Sequence, residues 1–259
     1  MRIITLISDW QNDDFYTASI KGLLYSKCKD INVIDITNKI DSYKYTQAAF
    51  ILRNAFLHFP TGTIHIVAIN SDIDEKHNPI CVLMKGHYFI GTQSGIFSLM
   101  FSEKPDKVVR INESKEFAVS TFPELTMFAN AAIFLSNGGE IGKLGDALEG
   151  VIRPMQFMPA FDDNIITGNV IYIDSYQNAF TNITKDLFEE IRKKRKFVIT
   201  IKSDSYSIHK LSKNYSEVEV GEMIGLFNSI DLLEISQRNG RLAELLDIRL
   251  NSPVTIKFK

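Results

Sequence analysis

Two clusters of polar side chains follow short apolar segments in the first half of the chain, and their residue types could bind or activate a small molecule. One cluster covers 8–14 and the other covers 70–77. Ligands of an open α/β sheet bind beyond the carboxyl ends of its strands, which is the position that both clusters would have. The Asp9 carboxylate suits a ligand rich in hydroxyl donors, for example a ribose. Capping of the following helix explains Asp9 equally well.

The second cluster also has the residue types of a metal site. Asp72, Asp74 and His77 would offer hard oxygen ligands and one imidazole to a divalent ion. A solvated acidic loop accounts for the same residues more simply, and we expect no metal there. Neither cluster contains the glycine-rich pattern that cradles phosphate groups. The sequence therefore disfavours a phosphate-bearing nucleotide, and it indicates no cofactor.

A third polar cluster lies in the second half of the chain, where Asp174, Tyr176, Asn178 and Phe180 follow an apolar segment. Aromatic faces beside an amide could hold a purine and form hydrogen bonds with its edge. Taken alone, the segment is explained more simply as a turn whose polar side chains bind their own backbone. Both interpretations stay open at this point.

The elements that must position the first two clusters alternate between strands and helices. The apolar segments that indicate strands are 3–7, 32–36, 63–69, and the pair 80–84 and 87–91 around a Lys85-Gly86 hairpin. The helical patterns begin at Asp13-Asp14 and cover 47–58 and 125–136, the last ending at a glycine cap. This alternation predicts a Rossmann-like α/β domain over 1–155 with a mostly parallel sheet.

The second half has a different pattern, in which short strands dominate. They are 168–173, 197–201, 206–211, 222–227, 232–235 and 254–258. One helix interrupts them, and Thr184 has the position of its N-cap. This pattern predicts an all-β, barrel-like domain over 165–259. The boundary between the two domains is expected between about residues 153 and 166.

The overall composition excludes several classes of function. The chain has 259 residues, 29 Lys and Arg against 31 Asp and Glu, and a net charge of −2. This balance gives no attraction to nucleic acid or to an anionic membrane. No segment has the roughly 20 apolar residues that span a bilayer, and the N-terminus does not resemble a signal peptide. We therefore expect a cytoplasmic protein whose partner is a small molecule.

Several segments occur in an order that resembles one known family. They comprise 4–10 with Asp14, Tyr16 and Lys21-Gly22, and then 35–40, 47–52, 59–65, 86–95, 174–183 and 228–235. Together they resemble the S-adenosylmethionine (SAM) hydroxide adenosyltransferase family, which is similar in fold and ligand to the bacterial fluorinases and chlorinases. Each segment alone is a weak signal, whereas the shared order across most of the chain is specific.

The resemblance implies an N-terminal α/β domain, a C-terminal β-barrel domain and a homotrimer. SAM would lie between the N-terminal domain of one subunit and the C-terminal domain of its neighbour. Water or hydroxide would attack C5′ of the ribose, so that adenosine and methionine form. The substrate-binding residues would be Asp9 at the ribose, Tyr176, Asn178 and Phe180 at the adenine, Asp174 and Ser229 at the methionine, and Trp10 and Glu234 within the matched segments.

The chain departs from the family pattern where that pattern activates water. The family uses an Asp, an Arg and a His, and the corresponding positions here are Asn70, His77 and Pro123. Two glycines that follow the Asp in the family have become Asp72 and Asp74. The segment that contains the His reads TFHGRD in the family and begins TFPE here.

Three hypotheses follow from this departure. In the one that we favour, a changed set that includes His77, Asn70 and Asp72 still hydrolyses SAM, and neutral His77 serves as the base near pH 7. In the second, the protein binds SAM or adenosine without catalysis. In the third, it uses another nucleophile or another nucleoside.

Overall fold

The computed structural model describes residues 2–11, 14–155 and 157–259. The chain divides between residues 156 and 157 into two compact units. The strands of the first unit are β1 (Arg2–Ser8), β2 (Ile31–Thr37), β3 (Ile64–Ala68), β4 (Pro79–Met84), β5 (His87–Thr92), β6 (Lys107–Ile111) and β7 (Gly145–Ala147). Its α-helices are α1 (Tyr16–Lys27), α2 (Tyr45–Ala55), α3 (Ile96–Met100) and α4 (Ala129–Ser136), and short 3-10 segments cover Phe56–His58 and Ile141–Lys143.

The sheet of the first unit has the strand order β2-β1-β3-β5-β4-β6-β7. β1 is parallel to β2 and β3, and β3 is parallel to β5, whereas the other pairs are antiparallel. The sheet is therefore mixed rather than mostly parallel. The predicted Lys85-Gly86 hairpin is confirmed, and it makes β4 run antiparallel to β5. Both hairpin residues have a positive φ, 50° and 75°, as this type of tight turn requires.

Helices pack against both faces of this sheet. Ile20 and Leu24 of α1 share a buried cluster with Leu6 of β1. Leu52 of α2 lies in a second cluster with Val67 of β3. Successive strand residues point to opposite faces, so the buried strands contribute side chains to both clusters. The predicted layering of helices on a sheet is confirmed.

Two predicted helices begin differently from what the sequence indicates. The N-cap of α1 is Phe15, with no side-chain cap bond, so Asp14 does not cap this helix; Asp13 lies outside the described residues. The helix predicted over 125–136 opens with a π-helical turn, Glu124–Phe128, before α4 begins. Its predicted glycine cap is confirmed, because Gly138 ends the helix with a φ of 93°.

The second unit is built around an antiparallel sheet that is nearly closed and barrel-like. Its strands are β8 (Ala160–Phe161), β9 (Ile165–Ile173), β10 (Ala179–Thr184), β11 (Phe197–Ile201), β12 (Ser203–Ile208), β13 (Met223–Phe227), β14 (Leu232–Gln237) and β15 (Pro253–Phe258). They run in the order β12-β11-β15-β9-β10-β14-β13, and β8 pairs with β9. Its helices are α5 (Lys185–Arg192) and α6 (Leu242–Leu245), and a 3-10 turn covers Tyr215–Glu217.

Local chemistry explains the start of α5, where the Thr184 hydroxyl accepts a hydrogen bond from the Leu187 N–H as predicted. The sequence does not indicate β10, because its polar residues continue the pattern of the turn after β9. That turn is shorter and ends at Asn178, where β10 follows. In the part of the chain that the structure describes, no helix has both the length and the apolar character needed to cross a membrane.

The first unit contains a buried pair of histidines, His65 and His87. The His65 Nδ1 lies 2.7 Å from the Thr5 hydroxyl, and its Nε2 lies 3.2 Å from the His87 Nδ1. The His65 ring also stacks on Phe89, with ring centroids 4.7 Å apart. Burial, with a contribution from His87, lowers the pKa of His65 to about 3, and burial lowers the pKa of His87.

We expect the free energy of unfolding to decrease as the pH falls below the ordinary histidine pKa of about 6.5. The unfolded chain takes up protons there and the folded chain does not, so the loss approaches about 1.4 kcal/mol per pH unit for each buried histidine. The free energy of unfolding should be measured with urea at several pH values between 7 and 5. Its change per pH unit (the slope) should be smaller for His65→Gln than for the original chain. The exposed His58 provides the control, because His58→Gln should leave the slope unchanged. Equal slopes for all three proteins would contradict this account.

Candidate functional site

The candidate site lies at the carboxyl ends of β1 and β3, which are neighbours in the sheet. The chain passes from β1 to β2 on one side and then crosses to β3 on the other side. The connecting helices leave toward opposite faces of the sheet at such a switch point, and this opens a crevice in which α/β proteins bind ligands. Asp9 directly follows β1, and Asn70 lies just beyond β3. The topology therefore brings together two residues that the sequence places 61 positions apart.

Asp9 is held by the backbone at the end of the neighbouring strand. Its Oδ2 accepts a hydrogen bond from the Asn70 N–H at 3.1 Å, and Asn70 has a left-handed φ of 43°. Burial raises the pKa of Asp9, the Asn70 N–H opposes this rise, and the negative charge of Asp72 adds to it. A half-buried carboxylate held in this way can accept further hydrogen bonds from the hydroxyls of a ligand.

Asn70 itself is engaged by a second side chain. Its Nδ2 donates a hydrogen bond to the Tyr45 hydroxyl at 2.7 Å. An amide has no basic group at neutral pH, so Asn70 can orient neighbouring groups but cannot take a proton from water. Asn70 thus bonds Asp9 through its backbone N–H and Tyr45 through its side chain.

Glu124 is a buried carboxyl group at this end of the sheet that the sequence did not indicate. Only 7% of Glu124 is exposed, and it opens the π-helical turn that follows Pro123. Burial is the main cause that raises the pKa of Glu124, and the negative charges of Asp9 and Asp72 raise it further. Among the described residues, Asp9, Asp72 and Glu124 form no ion pair. Three carboxyl groups without an ion-pair partner in the described residues therefore lie at this end of the sheet.

The Ser71 hydroxyl faces this acidic group. It lies close enough to Glu124 to lower the Glu124 pKa slightly. Ser71 Oγ is buried, and no group in the described parts of the chain meets it at full hydrogen-bonding geometry. An unsatisfied buried hydroxyl beside a carboxylate provides a place where a bound water or ligand atom would be stabilised.

Trp10 belongs to an aromatic cluster that follows Asp9. Its ring centroid lies 5.6 Å from that of Tyr16 and 5.8 Å from that of Phe122. Phe15 packs against Tyr16 at 4.6 Å, and 66% of Phe15 is exposed. Flat apolar surface beside a carboxylate suits a ligand with both an apolar part and hydroxyl groups.

His77 lies in the loop after β3 and is paired with Asp74. The His77 Nδ1 is 2.9 Å from the Asp74 Oδ1, and both side chains are substantially exposed. The hydrogen bond from His77 is the main cause that lowers the pKa of Asp74 to about 2. Within the described residues, no group of three or more His, Cys, Asp or Glu side chains is arranged to hold a metal ion.

The polar turn of the second unit is organised around Asp174. Its Oδ1 accepts hydrogen bonds from the N–H groups of Tyr176 and Asn178, and its Oδ2 accepts one from the Asn178 Nδ2 at 3.1 Å. Tyr176 is 74% exposed, whereas Phe180 packs on Tyr172 with ring centroids 5.6 Å apart. The turn interpretation is thus correct for Asp174, and the same bonds hold Tyr176 and Asn178 in fixed positions at the end of β9.

Glu234 is almost completely buried in the second unit and accepts three hydrogen bonds from protein donors. It accepts hydrogen bonds from the Tyr215 hydroxyl at 2.7 Å, the Ser236 hydroxyl at 2.5 Å and the Asn228 Nδ2 at 3.2 Å. Burial and this bond to Glu234 raise the pKa of Tyr215. Ser229 is exposed in the turn between β13 and β14. Glu234 therefore joins three segments of the second unit through hydrogen bonds.

Sequence reasoning missed Glu124, Ser71 and Tyr215. For Glu124 a signal existed, because an acidic residue stands directly after the proline that replaces the family's His. Ser71 lies within the polar cluster 70–77, but nothing in the sequence distinguishes it from its neighbours there, and Tyr215 lies in a segment without a distinctive pattern. Their importance follows only from which carboxylates they meet in the folded chain.

Solved structures with the same architecture cover the whole chain. An uncharacterized conserved protein from Thermotoga maritima superposes with a TM-score of 0.88 at 23% identity, covering 98% of this chain and 99% of the other. A conserved hypothetical protein from Thermus thermophilus superposes with a TM-score of 0.76 at 21% identity, with both chains fully covered. At these identities the likeness shows the fold alone.

Sequence comparison gives the family. The chain is 28% identical to the (R)-S-adenosyl-L-methionine hydrolase of Methanocaldococcus jannaschii, over 95% of this chain and 92% of that protein. It is 22% identical to a protein of the same name from Thermus thermophilus, over 99% of this chain and 100% of that protein. Residues 4–145 match the SAM hydroxide adenosyltransferase N-terminal domain and residues 168–255 match its C-terminal domain. The chain therefore belongs to the SAM hydroxide adenosyltransferase family.

Proposed function

We propose that this protein hydrolyses SAM to adenosine and methionine by attack of water at C5′ of the ribose. The observation that carries the proposal is the Asp9 carboxylate, fixed by the Asn70 N–H at a topological switch point and beside an aromatic cluster. This arrangement suits a nucleoside whose ribose hydroxyls need an acceptor. The family and the names of the two relatives supply the substrate class.

The acidic crevice is also suited to the charge of SAM. The sulfonium is a cation, and the described carboxylates near Asp9 have no basic side chain as an ion-pair partner. The leaving group departs as a neutral thioether, so no acid is needed to protonate it. What remains for the protein is to hold water in line behind C5′ and to accept its proton. The changed residues therefore concern one step, the activation of water.

The substrate also has a stereochemical aspect. The names of both relatives specify the (R) form, and the sulfonium sulfur is a stereocentre. We propose that this chain acts on the same epimer. Each epimer, prepared separately, should be incubated with the protein, and adenosine and methionine should be quantified. We expect equimolar products, formed faster from the (R) epimer.

Isotope labelling tests the position of attack. In water enriched in oxygen-18, the label should appear in the 5′-hydroxyl of adenosine and not in methionine. Chloride or fluoride in place of water as the nucleophile would instead give a 5′-halogenated nucleoside. If neither epimer gives a product, the proposed hydrolysis is wrong.

Binding without catalysis is the second candidate function. The replacement of all three activating positions, by Asn70, His77 and Pro123, favours it. Calorimetry with SAM and with adenosine separates the two functions, because binding without any product would support the second candidate. Failure to bind either ligand would contradict both.

We further propose a Rossmann-like N-terminal unit and a homotrimer. The parallel strands β2-β1-β3-β5 and the helices on both faces support the first. The second is supported by the family resemblance and by Tyr176, a predicted adenine-binding ring that is 74% exposed in the isolated chain. Light scattering after gel filtration should give three times the mass of one chain. A monomer at micromolar concentration would contradict the trimer.

A further inference from the structure

Three departures from the family pattern meet at one place in the folded chain. Asp72 and Glu124 both stand where the family pattern has glycine, and Ser71 precedes Asp72. The charges of Asp72 and Asp9 both act on Glu124, and Ser71 faces it. Residues that are distant in the sequence thus supply new polar groups to the same crevice. New polar groups gathered at one place would not be expected if loss of the family's Asp, Arg and His had only inactivated the site.

Glu124 is the buried member of this group. It is 7% exposed, and Ser71 beside it is 6% exposed, with an oxygen that lacks a partner at full hydrogen-bonding geometry in the described residues. The π-helical turn at Glu124–Phe128 places Glu124 at the start of its helix, directly after Pro123. Such turns occur frequently at functional sites because the extra residue redirects a side chain.

We propose that Glu124 is the general base that takes the proton from the attacking water. This inference rests on the proposed hydrolysis of SAM and adds the identity of the base to it. Pro123 occupies the position of the family's histidine but cannot accept a proton. The carboxylate of Glu124, the next residue, would accept the proton in its place. Ser71 would position the same water through its free hydroxyl.

The proposed step balances in charge and atoms. The water oxygen forms a bond to C5′ while the C5′–S bond breaks, and the bonding pair stays on sulfur to give neutral methionine. Positive charge therefore moves from sulfur to the attacking oxygen. Glu124 accepts one proton from that oxygen, and adenosine remains with a neutral 5′-hydroxyl. Glu124 afterwards releases the proton to solvent.

The other candidates are less suited to this role. Asp9 is bound by the Asn70 N–H and is needed by the ribose, and Asp72 is exposed to water. His77 is paired with Asp74 in an exposed loop. The elevated pKa of Glu124, caused by burial and by Asp9 and Asp72, makes it a stronger base than an ordinary carboxylate.

The isosteric variant Glu124→Gln tests the proposal. We expect kcat to fall about 10²- to 10⁴-fold with KM within a few-fold of the original value, because the base acts on water rather than on SAM. The pH dependence is a second readout. The kcat of the original chain, measured at saturating SAM so that the affinity loss from Asp9 does not enter, should decline as the pH falls through the Glu124 pKa. This decline should be absent from the residual kcat of Glu124→Gln. The exposed Glu113 provides the control, and Glu113→Gln should keep the original kcat and profile.

Ser71→Ala keeps the test decisive if Glu124→Gln does not fold. Removal of the hydroxyl takes away a group that lowers the Glu124 pKa, so the acidic decline in activity should move to higher pH. Glu124→Asp should retain part of the activity of the original chain. Thermal unfolding and calorimetry with SAM establish that each variant folds and binds.

The outcomes separate this inference from the proposed function. If the original chain hydrolyses SAM and Glu124→Gln retains its kcat and acidic decline, only the assignment of the base is wrong. If instead His77→Ala no longer shows the decline of kcat at low pH, His77 is the base and the assignment of Glu124 is wrong. If the original chain hydrolyses neither epimer, the proposed function and this inference both fail.

Discussion

Replacing Asp9 by alanine is expected to weaken the binding of SAM and of adenosine by about ten- to a hundredfold. A hydrogen bond to a charged acceptor contributes about 1.5–3 kcal/mol, and the ribose hydroxyls would lose that acceptor. Calorimetry measures the effect directly and does not depend on whether the protein turns SAM over. The loss should occur for both ligands, because they share the ribose, and it should be at least as large for SAM, which also carries the positive sulfonium.

Two further variants separate recognition from folding. Asp9→Asn keeps an oxygen that can accept the hydrogen bond of the Asn70 N–H, so it should unfold at nearly the original temperature and still bind more weakly. The exposed Asp41 supplies a matched control, because Asp41→Asn should bind as the original chain does. Unchanged affinity of Asp9→Ala would remove Asp9 from the ligand site.

The raised pKa of Asp9 adds a pH dependence to this binding. Protonation removes the negative charge and turns one of the two oxygens into an O–H donor, so the ribose hydroxyls keep a weaker acceptor and affinity should decrease as the pH falls. The decrease should begin at a higher pH than for an ordinary aspartate, because burial and the charge of Asp72 raise the Asp9 pKa. In Asp9→Asn this acidic loss of affinity should be absent.

Replacing Glu234 by alanine is expected to lower the free energy of unfolding by about 2–4 kcal/mol. The substitution leaves three protein donors without their acceptor and removes a side chain that is only 1% exposed. Urea unfolding followed by circular dichroism measures the loss. Tyr215→Phe removes one of the three bonds and should cost about 1 kcal/mol.

The Glu234 variants also test its predicted contact with the substrate. The three bonds use the Glu234 oxygens within the protein, so we expect a folded Glu234→Gln variant to bind SAM with nearly the original affinity. A large loss of affinity without a loss of stability would show that Glu234 contacts the ligand. That result would restore the role that the family resemblance assigns to it.

The sequence was most informative where one local rule determines the structure. Thr184 begins α5, and the Lys85-Gly86 hairpin joins β4 to β5, because a hydroxyl cap and a left-handed turn each depend on adjacent residues. The sequence failed at Asp14, because tertiary packing, not a side-chain cap, sets the beginning of α1. It also missed β10, whose polar residues follow the turn at Asp174.

The candidate site was predictable only in part. A polar cluster after each of two apolar strands indicated Asp9 and Asn70, and parallel strands that are neighbours bring such clusters together. The same reasoning proposed His77 as a base, yet the structure pairs His77 with Asp74 in an exposed loop. Glu124 lies in a helix with no ligand-binding pattern, so its role depends on contacts between distant segments.

The sequence by itself determined the family, the two classes of architecture and the residues that flank the strand ends. These properties depend on local patterns and on the order of segments, which a chain displays before it folds. Only the tertiary structure decided which carboxyl groups lie together beyond β1 and β3 and which accept hydrogen bonds within the protein. Burial and the proximity of Asp9, Asp72 and Glu124 arise from long-range packing, and they set the charge and basicity of the site.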